Sequence, residues 1–278
     1  MKGTVSSSMP EKEGNALPFW GHLEVLRRML FRVLAVVTVL AVVIFCFKDF
    51  TFRLLLAPGR WDFVTYRFIE GLLHRLGSDF CFTPFDVKLI ATELSSQFMT
   101  HLSVALYLGL LAASPYILME LFRFVAPALY AHERRYAVRI ALIVFVLFLL
   151  GVLMSYFVLF PVAFRFLGTY SVAENVESTI TLHSYVSTFT TLTFVLGLVF
   201  QLPVVALFLG KAGLVRSETM ARYRRHAIVV LLLLSAMITP PDLMTLLLVA
   251  LPLYLLYEFS RVVLKRVELK TEKGKFRK

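Results

Sequence analysis

The stretch AIVVLLLLSAMITPPDLMTLLLVALPLYLLYEF, residues 227–259, is apolar almost throughout and is broken once, at Thr239-Pro240-Pro241-Asp242. Two adjacent prolines remove two backbone donors and push the residue before them out of helix. Asp242 stands where a second helix needs an N-cap. The stretch therefore reads as a hairpin of two membrane spans. Its arms are short: Ala227 to Ile238 covers about 18 Å and Leu243 to Tyr257 about 22 Å, against a hydrocarbon core of about 30 Å. Either the bilayer thins around the hairpin or the hairpin leans on neighbouring helices. A single kinked span here would make five in all and put the C-terminus outside.

Upstream, four longer apolar runs give spans at about 28–47, 97–121, 138–160 and 185–209, and the hairpin arms fall at about 227–239 and 242–258. The expected fold is an all-α integral membrane protein with six transmembrane helices and both termini inside. Its last two spans are short and its bundle concave. Residues 17–260 form the membrane domain and 1–16 a cytoplasmic tail. The basic tail 261–278 is too polar to span and reads as disordered or bound to the lipid surface.

Composition and charge agree. Of 278 residues, 59% are hydrophobic and 17% charged, with 26 Phe and a mean hydropathy of +0.78, which points to a chain solvated largely by lipid. The segments up to Arg32, from Glu120 to Arg139, from Lys211 to Arg225 and from Glu258 onward carry 22 of the 29 Lys/Arg against 9 acids. The alternate segments carry 7 basic residues and 9 acids. This is the positive-inside pattern, so the net charge of +11 is topological and implies no nucleic acid. The N-terminus, MKGTVSSSMPEKEGN, lacks an apolar core and reads as neither secretory signal nor transit peptide.

The longest outside segment, Lys48 to Gln97, holds six basic and six acidic residues. Within it Thr51–Ala57 and Phe63–Leu76 read as short amphipathic helices lying on the bilayer, separated by Pro58-Gly59. Cys46 and Cys81 are expected as two unpaired thiols, with a disulfide between them as the alternative.

Catalytic patterns are missing. There is no P-loop, HExxH, GxSxG or GxGxxG, and the six His are scattered singly. No enzyme, metal site or cofactor is expected. The polar candidates within or beside the spans are Glu120, Gln201, Asp242 and Glu258, fewer than an ion-coupled transporter needs. A secondary transporter of a small solute or ion remains the alternative, and it requires inverted repeats that the halves do not display.

Several segments in register resemble the TatC family, the polytopic subunit of the twin-arginine protein translocase. HLEVLRR (22–28) is similar to the family's N-terminal entry motif. Ser114-Pro115 and FRFVAPALYAHERR (122–135) resemble its first cytoplasmic loop, and SYFVLFPVAFRFL (155–167) the end of its third span. FQLPV (200–204) sits where the family has Glu or Gln before a proline, and ITPPD with LPLYLLYE resembles its final hairpin. The resemblance implies a receptor in the bacterial cytoplasmic (inner) membrane for twin-arginine signal peptides of folded precursors. It also implies partners of the single-span TatA and TatB type, a homo-oligomer within the receptor complex, and transport driven by the proton-motive force.

Two signal-peptide guanidinium groups call for carboxylate acceptors on the cytoplasmic side. Glu133 matches the family's loop glutamate, preceded by Pro127 and followed by Arg134; the alternative is pairing with Arg134 or Arg135. In the entry motif, Val25 stands at the family's glutamate position and Glu24 one residue earlier, about 100° round the helix. Glu24 either swings across to serve the signal peptide or pairs with Arg28 at i+4. Leu23 matches and is expected to pack on the first cytoplasmic loop; Arg27 belongs to the same site. The resemblance places Gln201, with Pro203 kinking the helix, against a partner helix; the alternative is a bond within the chain to Thr193 or Ser155. Pro58, Pro115, Glu120, Pro161, Pro240, Pro241, Asp242 and Glu258 are motif or structural positions. Of these, Asp242 is expected to cap the last helix.

Overall fold

A computed structural model of the chain describes residues 19–75, 88–125, 137–170, 179–239 and 242–275. The helices are α1 (Phe19–Cys46), α2 (Lys48–Leu56), α3 (Val64–Arg75), α4 (Ser96–Val125), α5 (Ala137–Met154), α6 (Phe160–Thr169), α7 (Leu182–Val199), α8 (Leu202–Lys211), α9 (Ser217–Arg222), α10 (Arg224–Ile238) and α11 (Leu243–Lys275). A π-helical turn, Ser155–Leu159, joins α5 to α6. Among the described residues five stretches are long and apolar enough to cross a membrane: Leu23–Cys46, Ser96–Leu121, Ile140–Thr169, Leu182–Lys211 and Leu243–Leu269. The chain is thus all-helical and polytopic, with one short exception among the described residues. Leu89–Ile90 (β1) pairs in parallel with Ile180–Thr181 (β2), tying together the two connections at the end remote from the N-terminus. We call that end the far face.

Small residues set the helix spacing. A Cβ on Gly109 of α4 would stand 2.8 Å from the backbone of Ala41 in α1, and one on Gly151 of α5 would stand 2.7 Å from the Leu196 carbonyl of α7. Glycine alone permits these approaches. Toward the far face the core is aromatic. Phe160 meets Tyr185 and Phe189 edge-on at 5.0 Å, and Phe164 meets Tyr185 at 4.9 Å.

Two prolines organise the far face. In α-helix the carbonyl four residues before a proline loses its donor. Pro58 leaves Leu54 in that position, and the Tyr156 hydroxyl donates to the Leu54 carbonyl at 2.8 Å. Pro161 leaves Phe157 in that position, and the Thr65 hydroxyl donates to the Phe157 carbonyl. Each segment supplies the hydroxyl that the other's proline requires. Tyr66 adds a bond to the Pro161 carbonyl at 2.7 Å, and Tyr185 one to the Leu55 carbonyl at 2.9 Å. Hence α2 and α3, expected as surface helices, are latched to the third and fourth spans through one face.

The hairpin differs from expectation in one arm. α10 has 15 residues, or about 22 Å, and is short as expected. α11 is not short: it runs 33 residues without a break, through Glu258 and on to Lys275. The tail from residue 261 to 275 is therefore helix rather than disordered chain, and only 276–278 lie outside the described residues. Two of its residues tie it to the bundle. Leu264 is 1% exposed and covers Gly210, whose added Cβ would collide with the leucine's Cδ1. Glu268 accepts from the Ser217 amide at 3.0 Å and from the Ser217 hydroxyl. Pro240 and Pro241 lie outside the described residues. Asp242 caps α11, its Oδ1 accepting from the Thr245 amide at 2.7 Å.

Candidate functional site

The contact of Ala41 with Gly109 and the stacking of Phe45 on His101, centroids 4.1 Å apart, fix α1 and α4 as an antiparallel pair. Counting along that register puts Glu24 level with the last turn of α4 and Glu120 level with residues 26–30 of α1. The two carboxylates therefore share the N-terminal end of the bundle, within about two helical turns of each other.

Their environments differ. Glu24 is half-buried and pairs through Oε1 with Arg28 at 3.0 Å and Arg27 at 3.2 Å. The pairing alternative thus holds, and Arg27 joins it. Exposed helix pairs of this kind are worth about 0.3–0.5 kcal/mol, so an incoming guanidinium can displace them cheaply. Glu120 is 8% exposed and is met by the Arg123 guanidinium at 3.4 Å. A buried carboxylate holding one cation at that distance keeps acceptor capacity to spare. Leu23 is exposed. Pro127, Glu133 and Arg134 lie outside the described residues; Glu133 follows the end of α4, at Val125, by eight positions.

A second polar position lies where α7 breaks into α8. Pro203 occupies the first turn of α8, and the chain departs from helix at Phe200 and Gln201. Gln201 Nε2 donates to the Val144 carbonyl of α5 at 3.1 Å, while its Oε1 is buried without a hydrogen-bond partner among the described residues. The bond within the chain thus goes to a backbone carbonyl. The two hydroxyls expected as its partners, Ser155 and Thr193, bond each other at 3.0 Å.

At the base of α10 and α11, Glu258 binds Arg224 at 2.8 Å and Arg261 at 3.1 Å. Arg224 and Glu268 escaped the sequence reading. The only advance signal for Glu268 was its i+4 spacing from Leu264. Pro115 lies inside α4, and Cys46 is a free thiol. Among the described residues no group of three His, Cys, Asp or Glu could hold a metal.

A multi-span helical bundle with carboxylates gathered at one end and polar positions in its spans defines a polytopic membrane protein. Residues 21–252 match the family described as Sec-independent protein translocase protein (TatC), and the chain belongs to that family, whose members are translocase components and not enzymes. It is 32% identical to TatC of Blattabacterium sp. subsp. Periplaneta americana (strain BPLAN) over 90% of this chain and 96% of that relative. It is 35% identical to TatCy of Bacillus subtilis (strain 168) over 68% of this chain and 74% of that one. The crystal structure of a twin arginine translocase receptor, TatC, superposes with a TM-score of 0.70 at 30% identity, covering 88% of this chain and 98% of the other.

Proposed function

We propose that this chain is the receptor and core subunit of a twin-arginine translocase. It binds twin-arginine signal peptides of folded precursors at the cytoplasmic face of the inner membrane. With TatA- and TatB-type single-span partners it then exports them at the expense of the proton-motive force. The observation that carries this reading is the α1–α4 register, which gathers Glu24 and Glu120 at one end, beside the connection that holds Glu133. Two arginines presented there meet carboxylates whose existing bonds are weak or incomplete.

The same reading has six spans with both termini cytoplasmic. The basic residues concentrate at the N-terminal end, and α10 exposes Val229, Leu233 and Met237 as a lipid-facing helix does. Gln201 Oε1 is then the acceptor for a donor on a partner helix, since an amide oxygen in hydrocarbon calls for one.

The test is site-specific crosslinking of a twin-arginine precursor to membranes holding the full chain. Glu133→Ala is expected to abolish the crosslink, Glu120→Gln to weaken it, and Glu24→Gln to weaken it less. Undiminished crosslinking by Glu133→Ala would remove the receptor site from the first cytoplasmic loop.

A further inference from the structure

The far face carries a charge anomaly. Taken as a whole its segments hold 7 basic residues and 9 acids, yet residues 48–75 alone hold five of those basic residues, Lys48, Arg53, Arg60, Arg67 and Arg75, against three acids. Arg60 pairs with Asp62 at 3.1 Å. Arg53, Arg67 and Arg75 are exposed and have no ion pair among the described residues. Guanidinium groups left unpaired beside a membrane complement phosphate, which they bind through two parallel N–H donors.

The same segment carries an unpartnered apolar stripe. Trp61 in the turn before α3, and Val64 and Phe68 on α3, are 56%, 64% and 70% exposed, whereas Phe63, just before the helix, and Tyr66 on it are buried. Arg75 continues the stripe one pair of turns on, and Arg67 lies about 60° to the side of Val64. The result is a helix with an apolar outer face edged and ended by cations.

Its depth follows from the latch. Ile140 begins the third span, and at 1.5 Å per residue Phe157 and Pro161 lie about 26 and about 32 Å further along it, the thickness of the hydrocarbon core. Thr65 and Tyr66 bond those two carbonyls. The first turn of α3 is therefore held at the depth of the interface, where tryptophan and arginine are at home. The preceding α2 agrees: its exposed Phe50 and Leu54, with Phe47, line an apolar cavity of about 510 Å3 between α1, α4 and α5.

We propose that α3 is an interfacial anchor that binds phospholipid of the far-face leaflet, its Trp61–Val64–Phe68 stripe among the acyl chains and Arg53, Arg67 and Arg75 on headgroup phosphates. The anchor fixes the height of the latched far-face segment against the bundle. It needs no signal peptide and no partner protein.

The full chain carrying Trp20→Phe, so that Trp61 is its one tryptophan, is placed in phosphatidylcholine–phosphatidylglycerol nanodiscs, whose two faces both meet solvent. Lipid brominated on the acyl chains is expected to quench most Trp61 emission and aqueous iodide to quench little, with neither changed by tenfold dilution of protein in lipid. Replacing Arg53, Arg67 and Arg75 together by Gln is expected to raise iodide quenching about twofold or more. Strong iodide quenching with no effect of brominated lipid would overturn the proposal. Protection that disappears on dilution would also overturn it, assigning the stripe to a second copy of the chain. Quenching unchanged in the triple variant would remove the phosphate contacts from it.

Discussion

The Tyr156 hydroxyl lies 2.8 Å from the Leu54 carbonyl, the acceptor that Pro58 leaves without its helical donor. The pair joins residues 102 positions apart and closes the far-face segment onto the third span. If the bond exists because of the proline, the two residues are energetically coupled. Tyr156→Phe is expected to cost about 1–2 kcal/mol by stranding the carbonyl. In a Pro58→Ala background, where residue 58 again has an N–H, the same substitution is expected to cost about half as much or less. Thermal unfolding in detergent of the four members of the cycle measures the difference. Equal costs in both backgrounds would make the proline irrelevant to the bond.

Tyr66 gives the latch a pH dependence. Burial raises its phenol well above the ordinary value, so the folded state holds the neutral, donating form. A raised folded pKa contributes stability that is fully present below the unfolded value of about 10 and is lost as pH rises from there toward the folded value. Protease accessibility of residues 48–75 is expected to stay flat up to about pH 10 and then climb. In Tyr66→Phe the climb is expected to diminish from a higher baseline, because the bond to Pro161 is already gone.

The helical extension of α11 depends on side chains spaced four apart. Leu264→Ala removes a buried leucine, a change that costs about 2–5 kcal/mol in a core. At a chain end the loss appears as local fraying. Trypsin is expected to cut at Lys265 and Arg266 faster in Leu264→Ala and in Glu268→Gln than in the unaltered chain, with unfolding of the remaining bundle unchanged. Cutting rates indistinguishable from the parent would mean that the extension holds by helix propensity alone.

What could be read in advance divides by range. The first four apolar runs, the proline break and the cap by Asp242 are local properties of the sequence; the runs fall within long helices, the third of which extends to Thr169, α10 ends at Ile238, and Asp242 caps α11. The pairing of Glu24 with Arg28 is equally local. The α11 extension was hidden because Ser260, Leu264 and Glu268 are diluted among lysines, and two of their partners, Gly210 and Ser217, lie some fifty residues upstream. The far-face latch was hidden for the same reason. A tyrosine that serves a carbonyl a hundred residues away leaves no periodic trace, and the two-residue β1–β2 pair is too short to leave one. Of the expected signal-peptide residues, Leu23, Glu24 and Arg27 fall on α1, whereas Pro127, Glu133 and Arg134 lie outside the described residues.

Gln201 separates a structural role from a partner role. Among the described residues its amide makes one side-chain bond, to Val144, and leaves one buried oxygen without a donor. Gln201→Leu removes a neutral bond worth about 0.5–1.5 kcal/mol and an orphaned acceptor that costs about as much. The isolated chain is therefore expected to unfold within about 1 kcal/mol of the parent. If Oε1 receives its donor from a partner helix, the same variant is expected to lose crosslinking between the α7–α8 break and a single-span partner, and Gln201→Glu is expected to retain it as a stronger acceptor. A stable Gln201→Leu chain that crosslinks normally would assign Gln201 to the α5 contact alone. A variant destabilised by several kcal/mol would show that the Val144 bond, and not the free oxygen, is why an amide stands there.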